Sequence, residues 1–297
     1  MTAKHPALAW VLFVILSIIW GSSFILIKKG LTALGPEEVA TLRIASASLV
    51  LLPFAVSRIK QINKKNITSL ILVGFMGSLL PALFFALAQT KLPSALTGIM
   101  NALTPFFTII ISVLFFNVKP DKKVYFGVIL GFLGTLFLIS TRENGQFSFN
   151  YYAFFVVAAT VLYGINANLI KHYLGGLKSL SIASLSLIMV GPLAVLYLLL
   201  LTPFLDHIHE PKVLMASGYI VILGVLGTAL ALILFNKMVQ LTSAVFSTSV
   251  TYLIPIISVF WGFIDGEKLS LLQLVSMLTI MLGIFISNSK KVIKKPG

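Results

Sequence analysis

The chain has 297 residues, 58% of them hydrophobic and 10% charged, with no cysteine and a formal net charge of +14. A soluble domain carries about a quarter of its residues as charges, so this composition, with a mean hydropathy of +1.04, excludes that class and describes a chain that crosses a membrane several times. The missing cysteine excludes disulfides, thiol nucleophiles and thiolate metal sites, and basic residues dispersed over short loops, without a stripe or motif, exclude nucleic acid as a partner.

Apolar runs of about 18 to 25 residues can cross a hydrocarbon core of about 30 Å. In chain order they predict helices over 7–29, 37–57, 68–90, 93–116, 123–141, 151–171, 179–202, 214–236, 242–264 and 270–288. The first run is too long for a signal-peptide core and has no small-residue cleavage signal behind it, so it reads as a retained helix. With the N-terminus inside, most of the 22 basic residues fall in cytoplasmic segments, among them Arg58, Lys60, Lys64 and Lys65 and the tail lysines from Lys290 on. Lys28, Lys29, Lys91, Arg142, Lys212 and Lys268 fall outside. The expectation is an all-α integral membrane protein of ten helices with both termini cytoplasmic, its basic loops meeting anionic lipid.

The chain also repeats itself. Trp20-Gly21-Ser22-Ser23 with Lys28-Lys29 is echoed by Tyr163-Gly164-Ile165-Asn166 with Lys171-His172, and Gly74-Phe75-Met76-Gly77-Ser78 by Gly224-Val225-Leu226-Gly227-Thr228. Two halves follow, 7–141 and 151–288, joined by the polar stretch from Arg142 to Asn150 and trailed by a basic tail, 289–297. Five helices per half turn the second half over, so the halves are expected to be inverted repeats with a substrate site where they meet.

In the fourth and ninth predicted helices a matching pair of segments, Leu92-Pro93-Ser94-Ala95 and Leu241-Thr242-Ser243-Ala244, leads to Pro105 and Pro255. A mid-helix proline removes a backbone donor and bends the helix, which a membrane tolerates where neighbours or a cavity satisfy the freed carbonyl. These two helices are therefore expected to line a cavity. Gly127, Gly131 and Gly134 share a helix face suited to close packing, whereas the paired Gly74/Gly77 and Gly224/Gly227 suit either packing or helix sliding.

The run from Trp20 to Lys29, the pair Pro36 and Arg43, the stretch Leu92 to Pro105, and Gly266-Glu267-Lys268-Leu269-Ser270 resemble the EamA-type transporters of the drug/metabolite transporter superfamily. The resemblance spans nearly the whole chain and implies two inverted EamA repeats that move small metabolites across a cytoplasmic (inner) membrane by alternating access. One departure stands out. The family commonly has Gly-Glu after both the fourth and ninth helices, and here the first of these reads Asn117-Val118.

The acids are placed unusually. Asp121 falls inside, and Glu37, Glu38, Glu143, Asp206, Glu210, Asp265 and Glu267 fall at or beyond the outer helix ends. A proton/organic-cation antiporter needs a carboxylate within the membrane, so export of cationic drugs is the disfavoured alternative. Arg43 is the one strongly charged residue well inside a helix. It is a candidate for anion recognition or gating together with Glu267; otherwise it snorkels outward or pairs with Glu37, Glu38 or Glu267.

Candidate substrate-binding groups are Trp20, Ser22, Ser23, Asn101, Thr104, Tyr163, Asn166, Asn168, Thr251 and Tyr252, polar or amphipathic residues deep in the first, fourth, sixth and ninth helices. Each has a second reading as an interhelical hydrogen bond or a space filler. Asp206-His207-Ile208-His209-Glu210 reads as a solvated outer turn rather than a metal site, and no cofactor is expected. His172 reads as a topology residue at a helix end, and His5 lies in the N-terminal tail. An intramembrane enzyme would need a nucleophile with a base, paired carboxylates or a metal cluster at membrane depth, and a channel a filter or ring of charge. Neither pattern is assembled here, which leaves a secondary transporter exporting an amino acid or related small polar metabolite.

Overall fold

A computed structural model of the protein describes residues 6–118, 122–139 and 150–288. The polar linker 142–149, the tail 289–297, and Lys4, His5, Lys119 and Asp121 lie outside the described residues. The described residues are helical, with no strand among them. In chain order the helices are α1 (Ala7–Gly30), α2 (Pro36–Gln61), α3 (Ile67–Gln89) and α4 (Ser94–Phe116), then α5 (Lys122–Ile139), α6 (Ala153–Tyr173), α7 (Ser179–Leu200), α8 (Pro211–Leu241) and α9 (Ala244–Ile264), and α10 (Leu271–Asn288). Eight of them, α1 to α4 and α6 to α9, are long and apolar enough to cross a membrane by length and composition. Outward faces carry large apolar side chains such as Trp10, Leu49, Leu200 and Phe263, which lipid solvates at no cost.

The chain forms two compact units. The larger takes Met1–Ile111 and Tyr151–Lys268, the smaller Ser112–Asn150 and Leu269–Gly297. In the smaller unit α5 packs along α10. A Cβ on Gly283 would stand 2.4 Å from the Gly131 nitrogen and 2.6 Å from the Gly127 carbonyl oxygen, so the glycine face of α5 is where the two backbones meet.

In the larger unit α2 lies against α7. Ser48 approaches Gly191 so closely that a Cβ there would clash at 1.9 Å. One apolar cluster of buried side chains, including Leu16, Leu70, Ile170, Ile182 and Met238, joins α1, α3, α6, α7 and α8. A second, around Ile44, Ala47, Leu187 and Val190, joins α2 to α7.

Helices α4 and α9 end alike. Gly266 has φ 78° and Asn117 has φ 51°, both left-handed, and the next N–H folds back onto its helix: Glu267 N to Gly262 O at 2.8 Å, Val118 N to Ser112 O at 3.2 Å. Asparagine is among the few residues other than glycine that visit this region readily. The first half thus keeps the turn that the resemblance led one to expect there while lacking the carboxylate that should follow it.

Candidate functional site

Four helices of the larger unit are locally irregular, in matching pairs. In α3 the turn Phe75–Leu79 and in α8 the turns Leu223–Leu230 are π-helical, and in α4 and α9 the segments Asn101–Leu103 and Ser249–Tyr252 are 3-10. Pro105 removes the donor that Asn101 O would otherwise receive, and the Thr104 hydroxyl donates to that carbonyl at 2.9 Å instead. Before Pro255, the Ser17 hydroxyl of α1 donates to Val250 O at 3.1 Å. Both prolines sit where the helices depart from regular geometry. Such departures free backbone polar groups and recur at functional positions.

These irregular turns surround a cavity whose space for the centres of water molecules is about 60 Å³, room for a small solute or a few waters. Trp20 and Ser23 of α1, Asn101 and Thr104 of α4, Tyr163 and Asn166 of α6, and Thr251 of α9 line it, and so does Arg43 of α2. Ser22, Asn168 and Tyr252 do not. Ser22 accepts from Trp261 Nε1 at 2.9 Å, and the Asn168 amide donates to Thr108 O and Gly164 O, tying α6 to α4. Of the polar candidates, those three therefore belong to the surrounding frame.

Arg43 is 8% exposed. Its Nε donates to Thr228 Oγ1 at 2.8 Å, and the Tyr163 hydroxyl is a second polar neighbour. No carboxylate among the described residues pairs with it. Two of the three acids that sequence offered as fixed partners are engaged elsewhere: Glu38 accepts from Gly35 N and pairs with His207 Nε2 at 2.9 Å, and Glu267 pairs with Lys28. His207 is accordingly a partner of buried Glu38, while Asp206, His209 and Glu210 of the same segment are exposed. No group of three or more metal-ligating side chains occurs among the described residues.

On the α8 side, Trp20 Nε1 donates to Gly227 O at 3.1 Å, so the carbonyl loosened by the π-helical turn has a partner. The α3 side differs. Gly77 lets the Asn166 amide approach within 2.6 Å of where a Cβ would stand, yet Asn166 Oδ1 and Ser78 Oγ have no hydrogen-bond partner. Aromatic rings complete the wall: Phe24 meets Phe85 edge-on at 5.5 Å, Phe85 stacks on Tyr163 at 5.9 Å, and Trp20 tilts against Phe235 at 5.3 Å. Sequence reasoning left out Ser78, Thr228, Phe85 and Phe235. The first two lie in the repeated Gly-rich echoes, which pointed to packing or sliding rather than to a binding wall.

Glu267 lies apart from the cavity lining. It accepts from Ser94 N at 2.9 Å, Ser94 Oγ at 2.7 Å and Ala95 N at 2.9 Å, capping the start of α4. Lys28 reaches both Glu267 at 2.8 Å and Asp265 at 2.6 Å, and Lys29 also pairs with Asp265. Burial alone would raise the Glu267 carboxyl, but Lys28 and the Ala95 and Ser94 donors outweigh it and hold it below the usual carboxylate range. Lys28 and Lys29 hold Asp265 low as well. Three helix ends, of α1, α4 and α9, are thereby clamped together.

Comparison with known proteins agrees with this architecture. The profile of the EamA-like transporter family matches residues 8–140 and again 150–289. An uncharacterized transporter of Archaeoglobus fulgidus is 25% identical over 95% of this chain and 99% of its own, and the uncharacterized inner membrane transporter YedA of Escherichia coli K12 is 25% identical over 91% and 87%. A probable terminal-alkyne amino-acid exporter of Streptantibioticus cattleyicolor is 22% identical over 97% and 95%. One solved crystal structure superposes with a TM-score of 0.62 at 16% identity, covering 94% of this chain and 96% of the other, which speaks for the fold alone. A family profile that matches twice along the chain, on helices apolar enough to span a bilayer, makes this protein an integral membrane transporter of the EamA-like family.

Proposed function

We propose that the protein is a secondary transporter that exports a small zwitterion or weak acid, an amino acid or a related compound, by alternating access across a bacterial cytoplasmic membrane. In this reading the two family matches are inverted five-helix repeats, 7–141 and 151–288, ten helices cross the bilayer, and both termini are cytoplasmic. The observation that carries it is Arg43. A guanidinium buried at a cavity wall without a carboxylate partner among the described residues is a costly arrangement unless an anion arrives to join it.

The substrate carboxylate meets the Arg43 fork and the Thr228 hydroxyl, and neutral groups of Asn101, Thr104 and Thr251 fill the remaining wall. No acidic side chain among the described residues lines the cavity, which favours this reading over organic-cation export. The name of the Streptantibioticus relative supports the substrate class. Glu267 acts at a distance, as a latch on the helix ends that must separate when the cavity opens to that side.

The test is a thermal-shift screen of the purified, detergent-solubilised chain against amino acids, organic acids, sugar phosphates, nucleosides and organic cations, since a ligand of the folded state raises its apparent stability. The reading predicts shifts with amino acids or organic acids that vanish in Arg43→Ala and weaken in Arg43→Lys. Shifts with organic cations alone would overturn it.

A further inference from the structure

The cavity holds two buried polar oxygens with no hydrogen-bond partner among the described residues. Asn166 is 3% exposed and Ser78 is 4% exposed, both line the cavity, and Asn166 Oδ1 and Ser78 Oγ have no hydrogen-bond partner. Burying such atoms unpaired is unfavourable, and native proteins keep few of them. The repeat makes the omission specific, because the equivalent positions in the other half are all served. Ser23, the counterpart of Asn166, donates to Ile19 O at 3.0 Å. Thr228, the counterpart of Ser78, accepts from Arg43.

Residue type explains why only one side is served. Gly224 backs onto the Arg43 carbonyl and Gly74 onto the Ser186 carbonyl, so Ser186 occupies in the second half the place that Arg43 has in the first. A serine hydroxyl is too short to reach across as a guanidinium does, and that of Ser186 donates to Ala183 O at 3.2 Å within its own helix. The α3 wall is therefore left with an amide oxygen and a hydroxyl that no other group among the described residues meets.

We propose that the Asn166 amide and the Ser78 hydroxyl form the subsite for the substrate's hydrogen-bond donor end, an ammonium in the case of an amino acid, with Arg43 holding the carboxylate. This rests on the reading of Arg43 given above. One wall supplies a cation to the anion of the ligand, and the opposite half-repeat supplies acceptors to its cation. Asparagine and serine donate and accept in turn, so the subsite takes an uncharged amine or hydroxyl as well. It offers nothing to a ligand that ends in hydrocarbon.

The experiment compares binding of two ligand pairs to the purified full chain by titration calorimetry: L-leucine against 4-methylpentanoate, and L-alanine against propionate. Within each pair the carboxylate and skeleton are kept and the amino group is lost. For the pair that binds wild type, the expected cost of losing the amino group is about tenfold or more in affinity, the size of one hydrogen bond to a charged group. In Asn166→Leu and in Ser78→Ala the same loss should cost no more than about threefold.

Ser78→Ala separates this role from a structural one. Removing an orphaned buried hydroxyl should raise the melting temperature while weakening amino-acid binding, and a variant that loses stability and affinity together would count against the subsite. Asn166→Asp should retain binding of the amino acid. Equal cost of amino-group loss in wild type and both variants, with binding still dependent on Arg43, would overturn the subsite and leave the transporter reading standing. Failure of both amino acids and both acids to bind wild type would overturn both readings.

Discussion

Two interfaces in the larger unit are built from equivalent parts of the repeated sequence and are held together differently. Where α1 and α2 meet α8 and α9, Trp20 bonds to Gly227, Arg43 to Thr228, and Lys28 to Asp265 and Glu267. Where α6 and α7 meet α3, the counterpart Tyr163 stacks on Phe85, Asn166 and Ser78 leave acceptors unpaired, and Gly77 lets the chains touch. Lys171, which answers to Lys28, donates to the backbone oxygens of Val239 at 3.0 Å and Thr242 at 2.6 Å, and no carboxylate pairs with it among the described residues. The first interface is fastened by directed bonds and charge. The second is held by shape, and the polar groups left unpaired there are the ones available to a ligand.

The comparison is broken most severely at Arg43. Arg43→Ala should reduce binding of carboxylate ligands by more than about tenfold, measured by calorimetry, while leaving Trp20 and Lys28 to hold the interface folded. Next in size is a pair of lysine substitutions. Lys28→Met strands Glu267 and Asp265 with part of their compensation gone and should lower the melting temperature in detergent clearly, whereas Lys171→Met loses only bonds to neutral carbonyls and should cost less. Equal losses would mean that the charge cluster contributes no more than ordinary packing.

The glycines sharpen the contrast further. A methyl on Gly77 would stand 2.6 Å from Asn166 Oδ1, and one on Gly227 would meet the flexible tip of Leu223 at 2.7 Å. Gly77→Ala should therefore destabilise by about 1–3 kcal/mol and Gly227→Ala by less, read from thermal or denaturant unfolding.

The smallest expected effect is that of pH. Asp265 and Glu267 have carboxyls held below their ordinary values, so their contribution is fully present above the unfolded values of about 4 and is lost as pH falls through the depressed folded ones. Stability of wild type should be flat from about pH 5 to 8 with respect to these groups and drop below about pH 4. A double variant Asp265→Asn, Glu267→Gln should show a shallower fall in the acid limb.

Much of the fold was legible in the chain because lipid imposes a simple rule: each crossing must satisfy its own backbone, and so appears as an unbroken apolar run. The predicted runs coincide with the helices to within a few residues at most ends, the widest mismatch being at the C-terminus of α8. The echoes from Trp20 and Gly74 led to the helices that enclose the cavity, and Pro105 and Pro255 to the 3-10 segments in α4 and α9. Hydropathy located helical residues at cavity depth, but depth is shared by every face of a helix. Ser22 and Ser23 are neighbours in sequence, and only Ser23 faces the cavity.

By itself, then, the sequence determined the membrane class, the helix order and the existence of two related halves, since composition and period are properties of the chain alone. Tertiary structure decided which polar groups are partnered. Glu38 found His207, Glu267 found Lys28 and the start of α4, and Arg43 found Thr228 rather than an acid. A hydrogen bond depends on which helix face turns toward which neighbour, and that is fixed only when all the helices pack at once.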